Sequence, residues 1–153
     1  MMERYFPLYI SLQDREVLVV GGGTVAARRT RSLLPFGCRI TAVAPDFSPD
    51  FPDSPALTRR VRCFEDEDLQ GVFLAVIATN DPQENERIAA LCTERGIIKN
   101  VASDMNLCDF RFPALALSEE MTVGLCSTER RPTLTKQIRR KIQEFLNGYR
   151  EEN

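Results

Sequence analysis

Residues Gly21-Gly22-Gly23-Thr24-Val25-Ala26 follow the pattern G-x-G-x-x-A. That spacing cradles a dinucleotide pyrophosphate when a strand precedes it and a helix follows. Gly21 permits the tight turn, Gly23 lets the pyrophosphate approach the backbone, and Ala26 lets helix and strand pack closely. Gly22 completes the loop, and the helix that opens at Thr24 and Val25 offers unpaired N–H groups and a partial positive charge. The alternative is a glycine turn with no ligand. Asp46 lies twenty positions beyond Ala26, just past Pro45, where an acid bonds an adenosine ribose or simply caps the next turn. No basic residue immediately follows it, which favours NAD over NADP as the cofactor. Thr79 and Asn80, after an apolar run, would line the same crevice, with turn and capping chemistry as their other use.

Other chemistries are closed by composition. Histidine is absent, so carboxylates, hydroxyls and thiols are left to move protons or bind metals. Ser-His-Asp and Cys-His mechanisms are excluded within the chain. Cys38, Cys63, Cys92, Cys108 and Cys126 are odd in number and form no C-x-x-C, and they read as reduced core residues of a cytoplasmic protein, with no metal site and no disulfide framework. The 20 Lys and Arg against 22 Asp and Glu leave a formal net charge of −2, so no global basic field draws nucleic acid to the chain. The opening MMERYFPLYISL lacks the features of a signal peptide, and the longest apolar run, 72–78, is too short to span a bilayer, so no membrane partner is expected.

Positioning the glycine turn requires a strand before it and a helix after it. Residues 16–20 (EVLVV) form an apolar β-branched run, and residues 24–35 show helical spacing that stops at Phe36-Gly37. A second strand, 39–44 (RITAVA), completes a right-handed βαβ unit with parallel strands. Pro49, Pro52 and Pro55 make 46–56 a loop. Strands are expected at 61–64 and 72–78, then a helix with Asp81 as N-cap and Pro82 at its first position, ending at Gly96, then a strand at 97–102. Five strands in this pattern define an α/β fold, a Rossmann-like doubly wound parallel sheet. Beyond Asp104 a short strand at 110–113 and an alternating strand at 121–126 precede a final helix from Pro132. That helix carries Leu134, Ile138, Ile142, Phe145, Leu146 and Tyr149 on one stripe, with Lys136, Arg139, Arg140 and Lys141 around the rest. A chain of 153 residues buries roughly 68–70% of its unfolded surface, enough for one core but not for a second one in this appendage. The appendage packs on its own sheet or pairs with a second copy, and the second outcome is favoured. The expected organisation is a dinucleotide domain at 1–113 and a small α+β dimerisation segment at 114–153.

The segments FPLYISLQDREVLVVGGGTVAARR, RITAVAPDF, AVIATNDPQENERI, GIIKNVASDMNLCDFRFPA and MTVGLCSTERRPTLTKQIRRKI, in that order, cover nearly the whole chain. Together they resemble the precorrin-2 dehydrogenase / sirohydrochlorin ferrochelatase family, the amino-terminal module of siroheme synthase. The resemblance implies oxidation of precorrin-2 to sirohydrochlorin by NAD, in some members followed by insertion of ferrous iron, and a homodimer formed through the segment after the Rossmann-like domain. It places cofactor contacts on Thr24, Val25, Pro45 and Asp46. It places the family's acid–base aspartate on Ser103, with Asp104 beside it, and it keeps Ser127 in a loop whose glycines have become Glu129-Arg130-Arg131. Ser103, Asp104 and Ser127 are therefore the candidate catalytic positions. The family's following helical domain has no counterpart before Asn153.

The expected function is NAD-dependent dehydrogenation of precorrin-2 in siroheme biosynthesis. Positioning against the cofactor supplies most of such an acceleration, and the substrate's carboxylates call for a basic wall. Arg130, Arg131, Lys136, Arg139, Arg140 and Lys141 could form one, or could simply face solvent. Iron insertion would need a carboxylate to take pyrrole protons, and Asp104 and Asp109 are the acids of that stretch. The rival reading is a non-catalytic Rossmann module that binds NAD(H) as a redox signal and passes its state to a partner through the last helix.

Overall fold

The computed structural model describes residues 5–128 and 131–149. They fall into two compact units. One is Ile10–Phe110, and the other joins the N-terminal residues through Tyr9 to the chain from Arg111 onward.

The first unit is built on β1 (Glu16–Val20), α1 (Thr24–Leu33), β2 (Arg39–Ala44), β3 (Leu57–Val61), β4 (Leu74–Ile77), α2 (Pro82–Glu94) and β5 (Ile98–Val101). All five strands run parallel in the order β3-β2-β1-β4-β5. The central strands β1 and β4 are aliphatic on both faces because helices cover both, and Val17 to Val20 and Leu74 to Ile77 are all buried. Right-handed crossovers send α1 and α2 to opposite faces, since β1 leads to β2 on one side and β4 leads to β5 on the other. Leu18, Val20, Val43, Ala75 and Ile77 share a core with Leu69, Ile88, Ala89 and Cys92.

The boundaries follow local chemistry. The α1 helix ends two residues short of Pro35, and the chain tightens into a 3₁₀ turn at Leu34–Phe36 before Gly37 turns left-handed at φ +70°. Asp81 caps α2 by accepting from the N–H groups of Gln83 (2.9 Å) and Glu84 (3.4 Å), with Pro82 at the first helical position, as its sequence predicts.

The strand expected at 61–64 is misplaced, because the pairing strand is Leu57–Val61, running from Ile40↔Leu57 to Ala44↔Val61. As the outermost strand it is mostly exposed, so Leu-Thr-Arg-Arg-Val needs no apolar alternation. Its neighbour Asp68 is buried and held by three guanidinium bonds. Arg62 Nη2 and Arg60 Nη1 bond Oδ1 at 2.6 and 2.7 Å, and Arg62 Nη1 bonds Oδ2 at 2.8 Å. Cys38 and Cys92 are buried as expected, and burial pushes the Cys92 thiol up to about 11. Cys63 and Cys126 are exposed, so they are not core residues, and Cys108 is half-buried.

In the second unit β6 (Ala114–Leu117) and β7 (Thr122–Leu125) form an antiparallel hairpin, followed by α3 (Pro132–Gly148). The strand expected at 110–113 is not formed. Pro113 cannot donate to a ladder, and the strand begins one residue after it. Gln143 ties α3 to β6 by donating to the Leu117 carbonyl at 2.8 Å and accepting from the Leu117 N–H at 3.0 Å. None of the residues of α3 is buried, and Leu134, Ile138, Phe145 and Tyr149 remain exposed. Among the described residues no helix is long and apolar enough to cross a membrane.

The Arg62 guanidinium, helped by the Glu65 N–H and Arg60, holds the Asp68 carboxyl below its ordinary value. A carboxyl depressed in the folded state adds stability above its unfolded pKa of about 3.9, and that stability is lost as pH falls through the folded value. Asp68→Asn should therefore lower the melting temperature at neutral pH by roughly 5 °C, and the gap to the unaltered protein should close in thermal scans taken below about pH 4.

Candidate functional site

The turn between β1 and α1 is set by backbone crowding. Gly21 has φ +125°, and a Cβ there would collide with the Ala78 carbonyl at the end of β4. A Cβ on Gly22 would collide with the carbonyl oxygen of Asp46 and come within 3.0 Å of the Ala44 methyl. Two backbone bonds lock this packing, from Gly21 N to Val43 O at 2.9 Å and from Ser48 N to Gly22 O at 2.8 Å. Gly23 differs from both, because nothing lies within 4 Å of the place its Cβ would take. It is the N-cap residue of α1 and offers no side-chain cap, and the first turn of that helix carries no acid. Open space over an uncapped, acid-free helix N-terminus fits a pyrophosphate, which brings its own negative charge to the free N–H groups. Thr24 and Val25 are exposed in that first turn.

The other candidate residues sit on the same rim. Pro45 and Asp46 are exposed at the carboxyl end of β2, Thr79 and Asn80 follow β4, and Ser103 and Asp104 follow β5. Because β2, β1, β4 and β5 are consecutive in the sheet, Asp46, the glycine turn, Thr79 and Ser103 form one row. The row spans three strand gaps, roughly 14 Å at about 4.8 Å each. It crosses the point between β1 and β4 where the order of connection reverses, the place where ligands of such sheets bind. The chain after Asp46 continues as Phe47 and Ser48, and the guanidinium of Arg62 beyond β3 is committed to Asp68 and Glu65. A free ribose hydroxyl beside Asp46 therefore suits this end better than a phosphate.

At the opposite end, Ser103 is exposed and its Oγ accepts a hydrogen bond from Asn85 Nδ2 at 3.1 Å. The Thr79 N–H donates to Asn85 Oδ1 at 3.2 Å, and Thr79 Oγ1 lies 2.6 Å from the same oxygen. Asp104 points to a local role, since its Oδ1 accepts from Asn106 N at 2.9 Å and caps the short turn Met105–Leu107. The loop that carries both is pinched at its neck. Lys99 Nζ meets the Asp109 carboxylate at 3.0 and 3.1 Å, Lys99 N donates to the same carboxylate at 3.0 Å, and Asp109 N donates to Lys99 O at 2.9 Å. Inside it, Cys108 Sγ accepts from Val101 N at 3.1 Å. Ser127 belongs to the second unit, where its hydroxyl accepts from Arg131 N at 3.5 Å. Glu129 and Arg130 lie outside the described residues. Asn85 is the residue that sequence reasoning left without a role, although its place three after Pro82 in the D-P-x-x-N segment was a visible signal.

Sheet order, glycine turn and row of polar residues together define a Rossmann-type dinucleotide-binding domain. A family model described as "Putative NAD(P)-binding" matches residues 8–114. Siroheme synthase 1 of Klebsiella pneumoniae subsp. pneumoniae is 34% identical over 145 residues, which are 93% of this chain and 31% of that protein. Siroheme synthase of Ectopseudomonas mendocina is 37% identical over 144 residues, 94% of this chain and 31% of that protein. The chain thus spans about a third of the length of these relatives. The solved structure of SirC, precorrin-2 dehydrogenase, superposes with a TM-score of 0.68 and 30% identity, covering 96% of this chain and 72% of that one. The chain belongs to this NAD(P)-binding family and, within it, to the family of precorrin-2 dehydrogenase. The fold and the nicotinamide dinucleotide cofactor expected from the glycine pattern are borne out.

The contrast between neighbouring glycines is testable. Gly23→Ala should leave the melting temperature nearly unchanged and weaken NADH binding by about tenfold, since its methyl enters the cradle. Gly22→Ala should lower the melting temperature sharply, because the methyl would displace the Asp46 backbone. NADH fluorescence titrations and thermal scans of the two variants check both outcomes.

Proposed function

We propose that the chain is an NAD-dependent oxidoreductase that converts precorrin-2 to sirohydrochlorin in siroheme biosynthesis, working in the cytoplasm as a homodimer. The observation that carries this reading is the match to precorrin-2 dehydrogenase along 96% of this chain, joined to an open pyrophosphate cradle at Gly23.

In this reading the N–H groups at Gly23, Thr24 and Val25 hold the pyrophosphate and Asp46 beside Pro45 holds the adenosine ribose. Thr79, Asn80 and Ser103 border the reacting end of the row. When bound there, NAD supplies the hydride acceptor. The chain's task is then alignment and the exclusion of water, which suits a site with no histidine.

The basic side chains Lys136, Arg139 and Lys141 on α3 support handling of a polycarboxylate substrate, while Arg140 shares its charge with Glu144 at 3.6 Å. The second unit also exposes several large apolar side chains. Phe6 is 87% exposed, Leu8 74% and Phe145 65%, which supports pairing with a second copy. The proposed activity does not extend to iron insertion. Asp104 is engaged as a cap and Asp109 is engaged by Lys99, so the two acids of that stretch already have partners.

The test is an anaerobic assay of the protein with precorrin-2 and NAD, following reduced nicotinamide and sirohydrochlorin together. Turnover is expected with NAD, and Asp46→Ala should raise KM for NAD by roughly ten- to a hundredfold with kcat little changed, the mark of lost uniform binding. NAD binding with no turnover would favour the signalling module instead.

A further inference from the structure

Asn85 is only 1% exposed, in the first turn of α2, and its carboxamide makes four hydrogen bonds. Oδ1 accepts from Thr79 N (3.2 Å) and Thr79 Oγ1 (2.6 Å), while Nδ2 donates to Thr79 O (3.2 Å) and Ser103 Oγ (3.1 Å). That uses its full capacity of two donors and two acceptors. Its orientation is not a free choice. A backbone N–H can only donate and a carbonyl can only accept, so Thr79 fixes which end of the carboxamide is nitrogen. Ser103 Oγ must then receive a proton from Asn85. Its own hydroxyl proton has no acceptor among the described residues, and the side chain is exposed at the end of the row.

We propose that Asn85 is a positioning residue that fixes the Ser103 oxygen and leaves its hydroxyl proton free to donate a hydrogen bond to a planar ligand oxygen at the reacting end of the crevice. This rests on the dinucleotide reading above. Two ligand groups offer that oxygen, the carboxamide of the nicotinamide and a carboxylate of the tetrapyrrole, and both accept a hydroxyl proton in the same geometry. An aspartate at position 103 would titrate and repel a substrate carboxylate, whereas the serine does neither. A neighbouring carboxylate is not needed to orient it, because the Asp104 side chain is turned to its own cap.

The experiment measures binding and not turnover, so its failure is separate from failure of the proposed activity. NADH is titrated by fluorescence and sirohydrochlorin by absorbance, against the unaltered protein and the variants Ser103→Ala, Ser103→Thr and Asn85→Asp. Ser103→Ala should weaken one of the two ligands by about tenfold, and Ser103→Thr, which keeps the hydroxyl, should stay within about twofold. Loss confined to NADH identifies the carboxamide as the acceptor, and loss confined to sirohydrochlorin identifies the carboxylate. In Asn85→Asp the introduced carboxylate captures the serine proton, so the same ligand should bind weakly at neutral pH and recover as that carboxylate is protonated. The unaltered protein should show no such recovery. Unchanged affinity for both ligands in Ser103→Ala overturns the proposal, as does pH-independent, full-strength binding in Asn85→Asp. Should Asn85→Asp fail to fold, the comparison of Ser103→Ala with Ser103→Thr still decides. Failure of the unaltered protein to bind NADH would instead overturn the dinucleotide reading and this inference with it.

Discussion

Two consecutive residues in this protein leave no room for a side chain. At Gly21 the Ala78 carbonyl occupies the space, and at Gly22 the Asp46 carbonyl does. The turn is therefore the point where three strand ends are pressed together, β1 itself, β4 behind Gly21 and β2 behind Gly22. Everything on the rim inherits its place from this crowding. The loop after β2 rests on the turn through the Ser48 to Gly22 bond, which carries Asp46 to the edge of the cradle. Gly23 is free of the crowding and so becomes the surface available to a ligand. The same three-residue run thus contains both a packing constraint and an opening.

The rim is stiff for reasons that lie below it. The strands β1 and β4 are buried on both faces, so their carboxyl ends do not shift without disturbing a close-packed core. The first turn of α2 adds cross-links above the sheet. Asp81 satisfies the helix N–H groups, and Asn85, one turn on, ties Thr79, two residues past β4, to Ser103, two residues past β5. One helical turn therefore carries both a stability function and a geometric one.

What could be read from the residues depends on how much of each element's role is local. The Glu16–Val20 and Arg39–Ala44 strands and the Asp81-Pro82 helix start were legible because burial on both faces and cap chemistry leave their marks on adjacent residues. The glycine cradle was legible for the same reason. The strand β3 was read four residues too late because an edge strand makes ladder bonds on one side only, and its arginines answer to residues outside the strand, Arg59 to Asp53 before it and Arg60 to Asp68 after it. The second unit's first strand was placed over Pro113, where the ring forbids it. Asn85 stood in a visible D-P-x-x-N pattern, but its role was not legible there, since a polar residue in a helix reads as a solvent-facing one until Thr79 and Ser103 are brought beside it. Asp104 had the opposite fault, an acid beside the expected catalytic position whose partner proves to be the backbone two residues on.

A parallel sheet ends in two rows of peptide groups that could recruit further strands. On the β3 side, Arg59, Arg60 and Arg62 crowd the margin with positive charge, held in place by Asp53 and Asp68. On the β5 side the returning chain runs along the strand, with Asp109 N donating to Lys99 O and the Asn100 side-chain Nδ2 donating to Phe110 O. Neither margin is a template for an incoming chain. A protein with this sheet is guarded against fibre-like polymerisation through its strands, and its arginine-rich margin is the place where a run of substitutions to apolar residues would remove that guard.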